Sequence, residues 1–174
     1  IDLLGHSMGG KASMMATLTR PDLIRKLIVA DIAPVSYSHT QMMYIDAMRG
    51  IDLSNLERRS QAEAALRAVI DDPILPSFFT QSLDLKAKRW KLNLDTLAQE
   101  MQAILSFPEV TGHFTGPTLF LTGATSSYVL PEHRERIKAL FPKAKFAKIP
   151  GAGHWLHAEK PAEFEAAVRH FLAA

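Results

Sequence analysis

Cysteine is absent from all 174 residues. That excludes disulfides, thiolate zinc sites and a cysteine nucleophile. It also favours an intracellular compartment, so a cytoplasmic protein is expected, with a mitochondrial one left open for a eukaryotic source. No apolar run approaches the about 20 residues of a membrane-spanning helix, and no membrane span is expected. A dominant charge is missing too. Lys and Arg number 20 against 18 Asp and Glu, for a formal net charge of +2. The two signs are interspersed, which leaves no basic footprint for nucleic acid. No His, Asp and Glu spacing suggests a metal site. Internal repeats and low-complexity stretches are lacking. What remains is ordinary for a globular chain: 47% hydrophobic and 22% charged residues at a length that buries one useful core.

Short apolar runs alternate with helical patterns. Ile1-Asp2-Leu3-Leu4 reads as the end of a buried strand, followed by a tight turn over 5–10. Lys11 to Thr19 carries good helix formers with an apolar face, and Pro21 ends that helix. Lys26–Ala30 is a second buried strand, and Asp31 stands at its C-terminal end. From about Val35 to Gly116 the character changes to helix with little strand. There Ser60-Gln61-Ala62-Glu63 reads as a capping box and Leu94–Leu105 as a further helix. Strand patterns return at Thr118–Leu121 and Lys145–Ile149. A helix from Pro131 to Phe141 lies between them, and an amphipathic helix over Pro161–Leu172 closes the chain. The expected organisation is a sheet-bearing core over 1–34, a helical cap over 35–116 and core again over 117–174. Such alternation predicts an α/β protein with a mostly parallel sheet. The inserted cap is expected over the C-terminal strand edge, where open α/β sheets bind ligands.

Gly5-His6-Ser7-Met8-Gly9, placed between a strand and a helix, has the form of a nucleophile elbow of the α/β-hydrolase fold. In this motif a sharp, strained turn presents the serine Oγ above the sheet. Gly5 and Gly9 are expected to leave room where a Cβ would clash. Ser7 is then the candidate catalytic nucleophile, and the backbone N–H of Met8 the candidate oxyanion-hole donor. The alternative is a glycine-rich turn without chemistry. A P-loop is disfavoured, because the Gly-Lys-Ser/Thr ending is missing.

Serine needs a base, and His154 is the best of seven histidines. It follows the fourth strand on a Gly151-Ala152-Gly153 loop whose glycines permit unusual backbone angles. His157 is the runner-up base, and a capped surface histidine is the alternative. His6 adjoins Ser7 in sequence, so its ring should diverge and serve the pocket or packing. The acid that orients the imidazole usually follows the third of these strands. Here that loop, 123–129, contains no Asp or Glu, and Ser126 stands in the expected place. Asp31 is the natural replacement, at the end of the strand beside the nucleophile strand. A loop-anchoring or N-capping aspartate is the alternative reading.

Gly-His-Ser-Met-Gly-Gly, Val-Ala-Asp-Ile-Ala-Pro, Gly-Pro-Thr-Leu-Phe-Leu, Ser-Xaa-Tyr-Val and Gly-His-Trp together resemble the YbfF-type esterases and their mitochondrial abhydrolase relatives. The resemblance spans the whole chain, most weakly in the helical middle. It implies a hydrolase of small-molecule acyl esters or thioesters, with a helical cap shaping the acyl pocket. It also supports Asp31 as the acid. The family's N-terminal strands and the loop with the second oxyanion donor have no counterpart here. The expectation is therefore a C-terminal part of a longer reading frame, inactive or poorly folded by itself.

The expected chemistry is two-step acyl transfer through an acyl-enzyme, needing no cofactor and no metal. Met42, Met43, Tyr44, Met48, Phe78, Phe79 and Trp90 either line an acyl pocket or simply pack the cap. Two rivals stay open: hydrolysis of an amide, lactone or carbon–carbon bond on the same three residues, and a non-catalytic ligand-binding protein. Oligomeric state and acyl specificity are not legible.

Overall fold

A computed structural model describes all 174 residues, Ile1–Ala174. In chain order the elements are β1 (Asp2–His6), α1 (Met8–Thr19), β2 (Lys26–Ala30), α2 (Met42–Arg49), α3 (Arg59–Arg67), α4 (Leu75–Thr80), β3 (Leu83–Asp84), β4 (Arg89–Trp90), α5 (Leu94–Gln99), α6 (Met101–Leu105), β5 (Thr118–Gly123), α7 (Arg134–Leu140), β6 (Ala144–Ile149), α8 (Leu156–Glu159) and α9 (Pro161–Ala173). They fall into two compact units, one of residues 1–37 with 106–174, the other of residues 38–105.

The first unit holds a four-stranded sheet in the order β1-β2-β5-β6. All three pairings are parallel. Parallel strands with covered faces read as continuous apolar runs, and β2 is buried at all five positions. Alternation sends its side chains to two cores. Leu27 and Val29 join Met14, Phe120, Ile137 and Phe141 on one face. Ile28 and Ala30 join Leu119, Leu121, Leu156 and Phe171 on the other. Helices α1 and α7 thus cover one face, and α8 and α9 the other. Strand β1 lies at the edge, and Leu4 on it is 41% exposed.

Parallel strands place all their C-terminal ends on one side of the sheet. Register aligns His6 with Ala30 and Ala30 with Leu121. The turn carrying Ser7 and the residue after β2, Asp31, therefore leave the sheet side by side. Ser7 N–H donates to Ala30 O at 3.0 Å, and Asp31 N–H to Leu121 O at 2.9 Å.

The second unit is mainly helical but contains a short antiparallel hairpin, β3 with β4. Two-residue strands carry too little alternation to be read in sequence. Its small core joins Leu56, Ala62 and Leu83, with Trp90 packed against them. The capping box lies elsewhere than expected: Gln61 Oε1 accepts from Glu57 N at 2.9 Å and Arg58 N at 2.8 Å. Ser60 is inside α3, and Glu63 pairs with Arg67 at 2.8 Å instead. The helix expected over 94–105 is divided at Glu100 into α5 and α6.

Candidate active site

Ser7 occupies the turn between β1 and α1 with φ 53° and ψ −123°. A positive φ is uncommon outside glycine and costs backbone strain. Close packing holds it there. A Cβ on Gly5 would stand 2.2 Å from Gly9 O and 2.4 Å from Ser13 Oγ. Gly9, expected to be the second close contact, has nothing within 4 Å of its Cβ position. That role falls to Gly10, where a Cβ would meet Ile32 Cγ2 at 2.6 Å. The reason is helical phase: Gly10 faces the sheet, whereas Gly9 faces outward.

His154 lies within hydrogen-bond distance of both expected partners. Its Nε2 is 3.0 Å from Ser7 Oγ, and its Nδ1 is 2.8 Å from Asp31 Oδ2. A carboxylate only accepts, so Nδ1 carries the proton and donates to Asp31. Nε2 is then free to accept from the Ser7 hydroxyl. Of the two glycines expected to shape the His154 loop, Gly151 takes a positive φ of 68° and Gly153 does not.

Asp31 is fully buried and also has a positive φ, 51°. Burying a carboxylate is costly unless donors surround it. Besides His154, its Oδ1 accepts from Gly123 N at 3.1 Å, and its Oδ2 accepts from the Ser126 hydroxyl. Ser126 Oγ in turn accepts from Tyr128 N at 3.2 Å. The loop without an acid thus supplies donors to the acid of another strand.

The rings of Tyr128, His6 and Trp155 surround His154. The Tyr128 ring stacks on it at 3.9 Å between centroids and 20° between planes. Tyr128 O accepts from Tyr37 Oη at 2.7 Å, and Tyr37 Oη accepts from Ala33 N at 2.9 Å. Burial raises the Tyr37 phenol to about 12, so it remains a donor. The His6 ring packs against that of His154 at 4.7 Å, the packing role expected of it. Its Nε2–H donates to the backbone O of His154 at 2.8 Å. Burial, opposed in part by that hydrogen bond, lowers His6 from 6.5 to about 4. His157, the runner-up base, packs edge-on against His6 at 4.6 Å. Burial lowers it as well, and its Nδ1 is buried with no partner. Its ring joins the His6 packing, and the hydrogen bonds of a base to Ser7 and Asp31 belong to His154.

Met8 is the first residue of α1, so its N–H is one of the four that make no bond within the helix. Its side chain is 56% exposed. The acyl-pocket candidates all belong to the second unit. Met48 is buried there and its carbonyl accepts from Trp90 Nε1 at 2.9 Å, which is packing within that unit. Met43 and Phe78 are exposed. An open cleft of about 500 Å³ in the same unit is lined by Met43, Ile51 and Val69 among others, and by none of the residues around Ser7.

Sequence reasoning missed Tyr128 and Glu159. Tyr128 was visible only as part of a family element. Glu159, which accepts from Gly153 N and Trp155 N beside His154, carried no signal, because its hydrogen bonds go to backbone N–H groups.

A family described as the alpha/beta hydrolase family matches residues 1–167. The sn-1-specific diacylglycerol lipase ABHD11 of Mus musculus is 41% identical over 98% of this chain and 58% of its own length. Esterase YbfF of Escherichia coli is 35% identical over 97% of this chain and 66% of its own length. A solved structure described as a marine microorganism esterase is 38% identical, with a TM-score of 0.92 over 98% of this chain and 69% of that one. The chain therefore spans between half and two thirds of these curated relatives.

Proposed function

The chain belongs to the alpha/beta hydrolase family, and from that premise we propose that it is the Ser7-bearing part of a carboxylic ester hydrolase working through an acyl-enzyme. The observation that supports this most is the hydrogen-bond chain from Ser7 through His154 to Asp31, at 3.0 and 2.8 Å. In the proposed reaction His154 Nε2 takes the hydroxyl proton as Ser7 Oγ bonds to the acyl carbon. The negative charge that develops on the carbonyl oxygen is met by the Met8 N–H and the N-terminus of α1. His154 then returns the proton to the departing alkoxide or thiolate. Water, deprotonated by the same histidine, releases the acid and restores Ser7. Asp31 stabilises the imidazolium and fixes the tautomer throughout.

Relatives named as esterases and as diacylglycerol lipases support an acyl ester substrate. Lipid acyl glycerols are the class to test first, with thioesters second. A 123–129 loop without an acid would favour a non-catalytic binding protein. With Asp31 against His154 that support is gone.

A fluorophosphonate probe tests the proposal on the intact protein. Labelling and p-nitrophenyl ester turnover are expected in the wild type and should both vanish in Ser7→Ala. An unlabelled, inert wild type would overturn the reading.

A further inference from the structure

The loop that carries His154 is gripped through its backbone. Glu159 Oε2 accepts from Gly153 N at 2.8 Å, and its Oε1 accepts from Trp155 N at 3.1 Å. These are the N–H groups on either side of His154. From the opposite direction, His6 Nε2–H donates to the carbonyl of His154 itself at 2.8 Å. Three consecutive residues are thus held by two side chains, while the ring of the middle one spans Ser7 and Asp31. A carboxylate has two acceptor oxygens, and both are used here, so a single side chain fixes both flanks. Charge-assisted bonds of this kind are short and directional.

We propose that Glu159 and His6 are positioning residues, which hold the His154 backbone so that Nε2 meets Ser7 Oγ and Nδ1 meets Asp31 together. The inference rests on the ester-hydrolase reading for its consequence in rate, but not for the clamp itself. A displacement of the base near 1 Å costs rate rather than substrate affinity. His6 suits its task because burial keeps it neutral, leaving one fixed Nε2–H donor and no charge beside His154.

The test compares Glu159→Ala, Glu159→Gln and the remote surface variant Glu165→Ala in the intact protein. Two readouts are taken: ester turnover, and amide hydrogen exchange at Gly153 and Trp155. Glu159→Ala is expected to lower kcat by about 10²-fold with KM nearly unchanged, and to speed exchange at both amides. Glu159→Gln keeps one acceptor oxygen and should recover part of kcat and protect one amide. Glu165→Ala should match the wild type. Full kcat and full protection in Glu159→Ala would overturn the proposal. So would a loss of kcat that follows a general fall in melting temperature with those two amides still protected. If the wild type turns over no ester, the functional reading fails, and the two amides still decide the clamp.

Discussion

At the residue scale, Asp31 combines complete burial with three side-chain and backbone donors, from His154, Ser126 and Gly123. Replacing it by Asn keeps the shape and removes the charge, and it lets the His154 tautomer reverse. In the reaction proposed, Asp31→Asn should lower kcat by roughly 10³–10⁴-fold, with the far-ultraviolet circular dichroism unchanged. Turnover near wild type would remove Asp31 from the proposed mechanism. The histidines give a second expectation. His6 is lowered from 6.5 to about 4 in the folded protein by burial. Between those values the unfolded chain binds the extra proton and the folded one does not. Stability from this group is therefore fully present above pH 6.5 and lost as pH falls toward 4. The urea midpoint should fall from pH 7 to pH 5 in the wild type, and fall less in His6→Asn. His157 is shifted in the same direction and adds to the wild-type loss.

At the element scale, the turn from β1 into α1 depends on two glycines, and not on the pair the motif suggests. Gly5 and Gly10 lie against backbone and core, whereas Gly9 faces open space. Gly5→Ala should therefore destabilise the protein and misplace Ser7, because the backbone oxygen it meets has no room to move. Gly9→Ala should stabilise α1, by up to about 1 kcal/mol, since alanine restores helix propensity where nothing obstructs it. Denaturant midpoints of the two variants should thus move in opposite directions. The motif spacing made a glycine requirement legible, but only the helical phase of α1 decides which glycine meets the sheet. The same limit appears in α3. Its start was legible to within a turn, yet Gln61, not Ser60 with Glu63, closes the cap.

At the scale of the molecule, the first unit is built around β2 and β5, with one core on each face of the sheet. Phe120 is fully buried and packs at 5.9 Å between ring centroids from Phe141. Phe120→Ala should cost about 3–5 kcal/mol, because the rigid sheet prevents collapse of the cavity; the shift of the urea midpoint measures it. By itself the sequence determined the strand order of this unit and its helices other than α8, the mostly parallel character of its sheet and the residue types at Ser7, Asp31 and His154. Local physics suffices for these, since apolar periodicity, proline and glycine act over a few neighbouring positions. Tertiary structure alone decided how those three residues meet. They lie 24 and 123 positions apart along the chain, and parallel register brings the turn after β1 beside the end of β2. It also decided that Ser126, Tyr128, His6 and Glu159 attend Asp31 and His154. Their contacts are long-range in sequence or made to backbone groups, and neither kind leaves a mark on spacing. Ser7 was legible as a residue in a turn; its hydrogen bond with His154 exists only because the sheet brings two distant loops together at one edge.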